Sequence, residues 1–386
     1  MTPGARVQAA IEVLDTILSG TAAEKALTGW ARRSRFAGSK DRAAVRDHVF
    51  DVLRRMRSCA AMGGGMTGRG LMLGLLRQDG IAPETLFTGD TYAPPPLDEA
   101  DRAGHVPAGD GAMWDLPDWI LPLWRESLGS DDAAVAEALR HRAPVFLRAN
   151  RLKGARDTAR ARLAQEGIET RPHALAPTAL EVTANARRVA ASAAYRDGLV
   201  ELQDAASQAV IDALEPGATT SILDYCAGGG GKTLALAAAT GGRIAAHDAA
   251  PRRMKDLPDR AARAGARVEI LETVPDGARY DLVLCDAPCS GSGAWRRSPE
   301  GKWRLDQTGL TELLAVQAEI LDRAAGLVAL GGRLAYATCS VLRPENDGQA
   351  DAFLARHPAF AEEARHRWTP LDGADGFFLA VFRRSG

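Results

Sequence analysis

The chain is predicted to be an α/β protein: a doubly wound, mostly parallel sheet in its second half, preceded by a helical region and a small α+β unit. Three observations carry this. From Leu199 onward, strand-like apolar runs alternate with helical stretches, the pattern of a parallel sheet with crossover helices. One of those runs, Ser221-Ile222-Leu223, passes through consecutive glycines into the alanine-rich segment Leu234 to Ala239, which reads as strand, tight turn and helix. In the first third the apolar residues recur at helical spacing instead.

With 386 residues and 46% hydrophobic content, the chain has room for two or three domains, each with its own core. A formal net charge of -1 gives no global attraction to a polyanion, so any nucleic-acid contact must come from a local patch. Cys59, Cys226, Cys285, Cys289 and Cys339 are scattered, without paired CxxC spacings. Neither a disulfide framework nor a metal site is indicated, and a reducing cytoplasm fits this usage. Residues 1 to 20 hold charges among their apolar positions, and no apolar stretch approaches 18 residues, so neither a signal peptide nor a membrane span is expected.

In order along the chain, Ala10, Ile11, Leu14, Ile17 and Leu18 mark one helix, and Val45, Val49, Val52, Leu53 and Met56 mark another. The second, with its approach, carries Arg32, Arg33, Arg35, Lys40, Arg42, Arg46, Arg54, Arg55 and Arg57 against only three aspartates. It is either a solvated helix surface or a phosphate-binding face. The glycine-rich run from Gly63 to Gly70 reads as a flexible break, and Asp79 to Asp118 as a connector. Trp114, Trp119 and Trp124, set among Ile120, Leu121 and Leu123, read as packing anchors rather than base-stacking platforms. A second unit begins near Pro144, with strands at Val145 to Arg148, near Ile168 and near Leu180, and a helix at Ala155 to Glu166. Its Arg148, Asn150, Arg151 and Lys153 either contact a nucleic-acid backbone or solvate an edge strand.

In the last half, strands are expected at Ile222 to Tyr225, Arg243 to His247, Arg267 to Leu271, Asp281 to Cys285, Arg333 to Ala337 and Phe377 to Phe382. Helices are expected over Arg252 to Ala264 and Leu310 to Leu330. Ligands of such sheets bind at the carboxyl ends of the strands. The turn Cys226-Ala227-Gly228-Gly229-Gly230-Gly231-Lys232-Thr233 therefore marks the candidate pocket, since glycine allows close approach and the next helix offers free N–H groups. A P-loop would need glycine at position 226, which is cysteine. Asp248 ends the next strand, where a carboxylate can accept from both hydroxyls of a ribose. Cys289, in Asp286-Ala287-Pro288-Cys289-Ser290-Gly291, and Cys339, in Thr338-Cys339-Ser340, follow two further strands and should lie beside that pocket. Two thiols there are candidate nucleophiles, and spacing does not rank them.

These motifs, with Glu201 to Gln208 and Asp375-Gly376-Phe377-Phe378, appear in the order of the RsmB/NOL1/NSUN family, and the chain resembles its bacterial RsmB-like branch of RNA cytosine-C5 methyltransferases. The resemblance implies three parts: a helical NusB-like RNA-binding domain over 1–135, an RNA-recognition-like α+β unit over 136–200, and a Rossmann-like S-adenosylmethionine-dependent methyltransferase domain over 201–386. It implies RNA as partner, with small-subunit ribosomal RNA favoured and transfer RNA the alternative; a monomer without metal or membrane is expected. By resemblance Cys339 is the nucleophile, Cys289 acts in product release, Asp286 contacts base and cofactor, and Lys232 lies close to both. Cys226, Ala227, Gly228, Gly229, Gly230, Gly231, Lys232, Asp248, Glu272 and Asp286 form the expected cofactor seat. Two departures stand out. Gly228 and Gly229 replace the usual Ala and Pro, which loosens the free loop. Glu272 and Thr273 stand where an aspartate usually meets adenine, so either Glu272 or a main-chain group takes that part.

Overall fold

The structure is a computed structural model that describes residues 1–217 and 221–385. By internal packing the chain forms two units, Met1–Arg142 with Trp295–Gln307, and Ala143–Ala294 with Thr308–Gly386.

The first unit is helical. Helix Pro3–Leu18 starts where Thr2 accepts a hydrogen bond from the Ala5 N–H and Pro3 presets the first turn. Ile11 and Leu14 join Val45, Val49, Val52 and Leu53 of helix Ser39–Arg54 in one core. The glycine-rich run is not a flexible break. Gly63 ends helix Met56–Gly63, Gly64 caps it at φ +88°, and Thr67 caps helix Gly68–Gln78. The two helices meet backbone to backbone: a Cβ on Gly63 would lie 1.7 Å from the Gly70 carbonyl oxygen, and one on Gly74 1.8 Å from that of Cys59. Glycine is here a packing residue. Segment Trp295–Gln307 belongs to this unit, with Trp295 stacked on the buried Trp124 at 6.1 Å and Lys302 Nζ donating to the Arg54 carbonyl at 2.8 Å. Trp114 and Trp119 are half-buried, in keeping with packing roles.

The second unit holds two sheets. The smaller is antiparallel, in the order β2-β3-β1-β4, from β1 (Val145–Ala149), β2 (Glu169–Pro172), β3 (Ala179–Ala184) and β4 (Val200–Leu202). β1 is central, so its polar residues do not solvate an edge.

The larger sheet has seven strands: β5 (Ile222–Asp224), β6 (Arg243–His247), β7 (Arg267–Leu271), β8 (Tyr280–Asp286), β9 (Val328–Thr338), β10 (Phe360–Trp368) and β11 (Phe377–Arg384). Its order is β10-β11-β9-β8-β5-β6-β7, with β11 antiparallel to both of its neighbours and the remaining pairs parallel. Leu223, Val283, Cys285, Leu334 and Tyr336 are fully buried, as in a sheet covered on both faces. β10 escapes a hydropathy reading because Phe360-Ala361-Glu362-Glu363-Ala364-Arg365-His366-Arg367-Trp368 is an edge strand rich in charge. The expected helix to Leu330 stops at Ala325, before Gly326, and Val328 already starts β9. Likewise Arg252 to Ala264 divides into a 3₁₀ turn, Pro251–Met254, and helix Leu257–Ala264, which Pro258 opens. The chain winds outward in both directions from β5, so a crevice opens at the carboxyl ends of β5 and β8.

Candidate active site

The glycine turn leaves β5 at Asp224 and enters helix Gly231–Thr240. Gly228 and Gly230 have φ of +52° and +82°, and a Cβ on Gly230 would also strike Leu257 Cδ1 at 2.2 Å. The Gly228 N–H donates to Asp248 Oδ2 at 2.8 Å and the Ala250 N–H to Oδ1 at 2.9 Å, while Arg253 pairs with the same carboxylate at 3.2 Å. Asp248 is thus only 3% exposed and braces the loop as well as facing the crevice.

Asp224 is fully buried; one oxygen accepts from Thr233 Oγ1 at 2.7 Å and the other has no partner. Burial pushes its pKa up to about 7, Asp286 and Asp248 push the same way, and Thr233 and Lys232 oppose them. The charges of Asp286, Asp248 and Lys232 all reach Asp224, and three carboxylates against one lysine are an acceptor set that suits a cationic ligand and repels a triphosphate. Lys232, itself buried, donates to Asp286 Oδ2 at 2.8 Å and lies 4.8 Å over the Phe377 ring. A cleft of about 190 Å³ beside the loop is lined by Tyr225, Cys226, His247, Asp248, Pro288 and Ile320 among others. Glu272 is exposed and is not among the residues lining it.

Cys289 and Cys339 bring their sulfurs within 3.4 Å. The hydrogen bond with Cys339 is the chief reason that the Cys289 thiol is held well above its usual pKa, and burial adds to it. Burial likewise pushes up the thiols of Cys226 and Cys285. The two cysteine loops are locked together by Glu345, fully buried, which accepts from the Ser290 N–H at 2.7 Å, from the Ser290 and Ser340 hydroxyls at 2.5 Å each, and from Gln317 at 3.1 Å. Sequence reasoning missed Glu345, Asp224 and Phe377 as site residues. For Asp224 a signal existed, a strand-end carboxylate directly before the glycines. For Glu345 none did, since only folding brings it to Ser290.

The basic candidates divide. Arg148 and Asn150 are each 3% exposed, and Asn150 spends its amide on the Gly198 and Ala264 carbonyls at 2.8 Å, so neither is a surface contact for a nucleic-acid backbone. In the helical unit Arg46, Arg54, Arg55 and Arg57 pair with Glu24, Asp51, Asp79 and Asp118. Arg32, Arg33, Arg35 and Lys40 are exposed and have no ion-pair partner among the described residues. Within the helical unit the phosphate-facing candidate set shrinks to these four, with Arg42 exposed but donating to the Ala37 carbonyl at 3.0 Å; in the second unit Arg151 and Lys153 remain exposed candidates.

Comparison with known proteins agrees with this architecture. The family model described as 16S rRNA methyltransferase RsmB/F matches residues 211–383, and the ferredoxin-like domain model of RsmF/B-like methyltransferases matches residues 116–189. "Ribosomal RNA small subunit methyltransferase B" of Pectobacterium carotovorum is 33% identical over 328 residues, 81% of this chain and 72% of its own. The Citrobacter koseri protein of that name is 36% identical over 282 residues, and the match spans 68% of this chain and 65% of that relative's length. NSun6 from Pyrococcus horikoshii, solved with SFG, shares the fold at a TM-score of 0.63 and 18% identity, over 70% of this chain and 98% of its own. No helix among the described residues is long and apolar enough to cross a membrane. A Rossmann-like domain with thiols at two strand ends, a helical N-terminal region, a ferredoxin-like unit and relatives of this identity lead to one conclusion: the chain belongs to the RsmB/F family of S-adenosylmethionine-dependent methyltransferases.

Proposed function

We propose that this protein methylates C5 of an unpaired cytosine in RNA, with small-subunit ribosomal RNA as substrate, through a covalent bond from Cys339 to C6. The carrying observation is the pair of sulfurs at 3.4 Å, that of Cys289 on the loop that leaves β8 just after Asp286, whose carboxylate pairs with Lys232 at 2.8 Å. Cytosine C5 is a weak nucleophile, and thiolate addition at C6 turns it into an enamine-like carbon. The Cys289 thiol is held well above its usual pKa, so it enters the site protonated, within hydrogen-bond reach of the Cys339 sulfur. Asp286 holds the edge of the base and Lys232 fixes Asp286. Loss of the C5 proton and expulsion of Cys339 restore the ring, and Cys289 serves that release. Such a base must be flipped out of any helix to enter the pocket.

S-adenosylmethionine supplies an electrophilic methyl group on a sulfonium. Its seat is the loop from Cys226 to Gly231, with Asp248 toward the ribose; Arg253, more than half exposed, is the group a ribose would displace. Asp224, Asp248 and Asp286 suit its positive charge. The helical unit offers Arg32, Arg33, Arg35 and Lys40 to RNA phosphates, and the five free thiols fit a reducing cytoplasm.

Denaturing gels of the protein incubated with RNA and S-adenosylmethionine test the assignment. Cys289→Ala is expected to accumulate a protein–RNA adduct and Cys339→Ala to form none. An adduct from Cys339→Ala would reverse the roles, and bisulfite sequencing with and without the gene identifies the RNA.

A further inference from the structure

Four consecutive glycines make the turn before helix Gly231–Thr240 costly to order, because glycine loses the most backbone freedom. The loop is held from outside. Arg148 of β1, 3% exposed, donates from Nη1 to the Gly231 carbonyl at 2.8 Å and to Gln203 Oε1 at 2.5 Å. Burial pulls its pKa down to about 10, so it stays charged at neutral pH. Arg260 donates from Nη1 to the Gly229 carbonyl and places Nη2 3.4 Å from Glu201. Glu201, buried in β4, is shared with Arg263 at 2.7 Å. Gln203 follows β4 directly, donates its N–H to the Phe146 carbonyl at 3.3 Å, and steadies its amide on Ser207 at 3.2 Å. Two loop carbonyls, two residues apart, are thus each gripped by an arginine whose other partner lies at β4.

We propose that Arg148 and Arg260 are positioning residues for the cofactor: they hold the glycine loop in its binding shape and fix it in register with the four-stranded sheet through Gln203 and Glu201. The proposal rests on reading that loop as the seat of S-adenosylmethionine. The Gly228 N–H is tied to Asp248 and the Gly230 N–H to the Ala227 carbonyl, while these arginines hold the carbonyls of Gly229 and Gly231. A charge-assisted bond to a carbonyl is strong enough to do so.

Titration calorimetry of the full chain with S-adenosylmethionine, without RNA, tests this. Arg260→Ala is expected to weaken binding about tenfold, the loss of one charge-assisted bond, and Arg260→Lys to recover most of it. Arg148→Met should act in the same direction, with Arg148→Lys as its conservative partner. With RNA present, KM for the cofactor should rise while kcat at saturation stays near that of the unaltered protein. Adding Gly229→Pro to Arg260→Ala should restore part of the affinity, since proline removes freedom that the arginine otherwise restrains; a purely fold-supporting arginine would not be rescued in this way. A folded Arg260→Ala protein that binds within twofold of the unaltered chain overturns the proposal. Failure of the unaltered chain to bind the cofactor overturns the loop reading with it.

Discussion

At the scale of single residues, Asp224 has the sharpest consequence. Its folded pKa is raised to about 7 from an ordinary value of 3.8. The folded protein therefore keeps a proton that the unfolded chain releases, and stability from this group declines as pH rises from about 4 to about 7, then levels off. Binding runs the other way. A cationic cofactor favours the ionised carboxylate, so its affinity should rise by about threefold or more between pH 5.5 and 7, and Asp224→Asn should flatten that dependence. Calorimetry across the range decides it, and a flat profile in the unaltered protein would remove Asp224 from the site. Cys289 shows the same principle: spacing says nothing of its proton, whereas the hydrogen bond with Cys339 and burial hold its thiol well above the usual pKa.

At the scale of elements, the helices Met56–Gly63 and Gly68–Gln78 depend on glycine for the opposite reason to the turn before helix Gly231–Thr240. There the chain must turn; here two backbones must touch. Helix propensity alone favours Gly74→Ala by about 1 kcal/mol. Overlap with the Cys59 carbonyl wins, because a Cβ would sit 1.8 Å from its oxygen. The substitution should lower the stability of the helical unit by about 3 kcal/mol or more, read as an earlier urea transition. Unchanged stability would mean that the helices cross elsewhere. The same balance explains which elements the sequence concealed: β10 is charged because it is an edge, and β4 is three residues long, too short to show alternation.

At the scale of the whole molecule, a net charge of -1 hides a local cluster. Four of the eight arginines between positions 32 and 57 are committed to carboxylates and Arg42 donates to the Ala37 carbonyl, so Arg32, Arg33, Arg35 and Lys40 are the cations with neither tie that can face a polyanion. Replacing all four with alanine should weaken RNA binding and reduce the slope of log affinity against log salt by about 0.7 for each lost phosphate contact on single strands. Fluorescence anisotropy over a salt series measures both. An unaltered slope would place the RNA on another surface. Changing Arg55 or Arg57 should instead leave the salt slope unaltered, since each is already engaged with Asp79 or Asp118.

Much of this was legible in one dimension. Strands β5, β6, β8, β9 and β11 announce themselves as apolar runs, because the middle of a sheet covered on both faces must be apolar on both, whereas β7 at the edge interleaves Val268 and Ile270 with Arg267 and Glu269. The positions of Cys226 to Lys232, Asp248, Asp286, Cys289 and Cys339 at strand ends follow from the alternation of strands and helices, and with them the family and its cofactor. What sequence could not fix is whatever depends on distant residues meeting. That Gly63 and Gly74 pack, that Glu345 joins Ser290 to Ser340, that Arg148 and Arg260 hold the glycine loop, and that Arg54 is buried are all decided by contacts between segments far apart in the chain. Periodicity reports which face of an element is dry. Hydrogen-bond partners and close approach exist only once the faces have met, and the tertiary structure alone decides them.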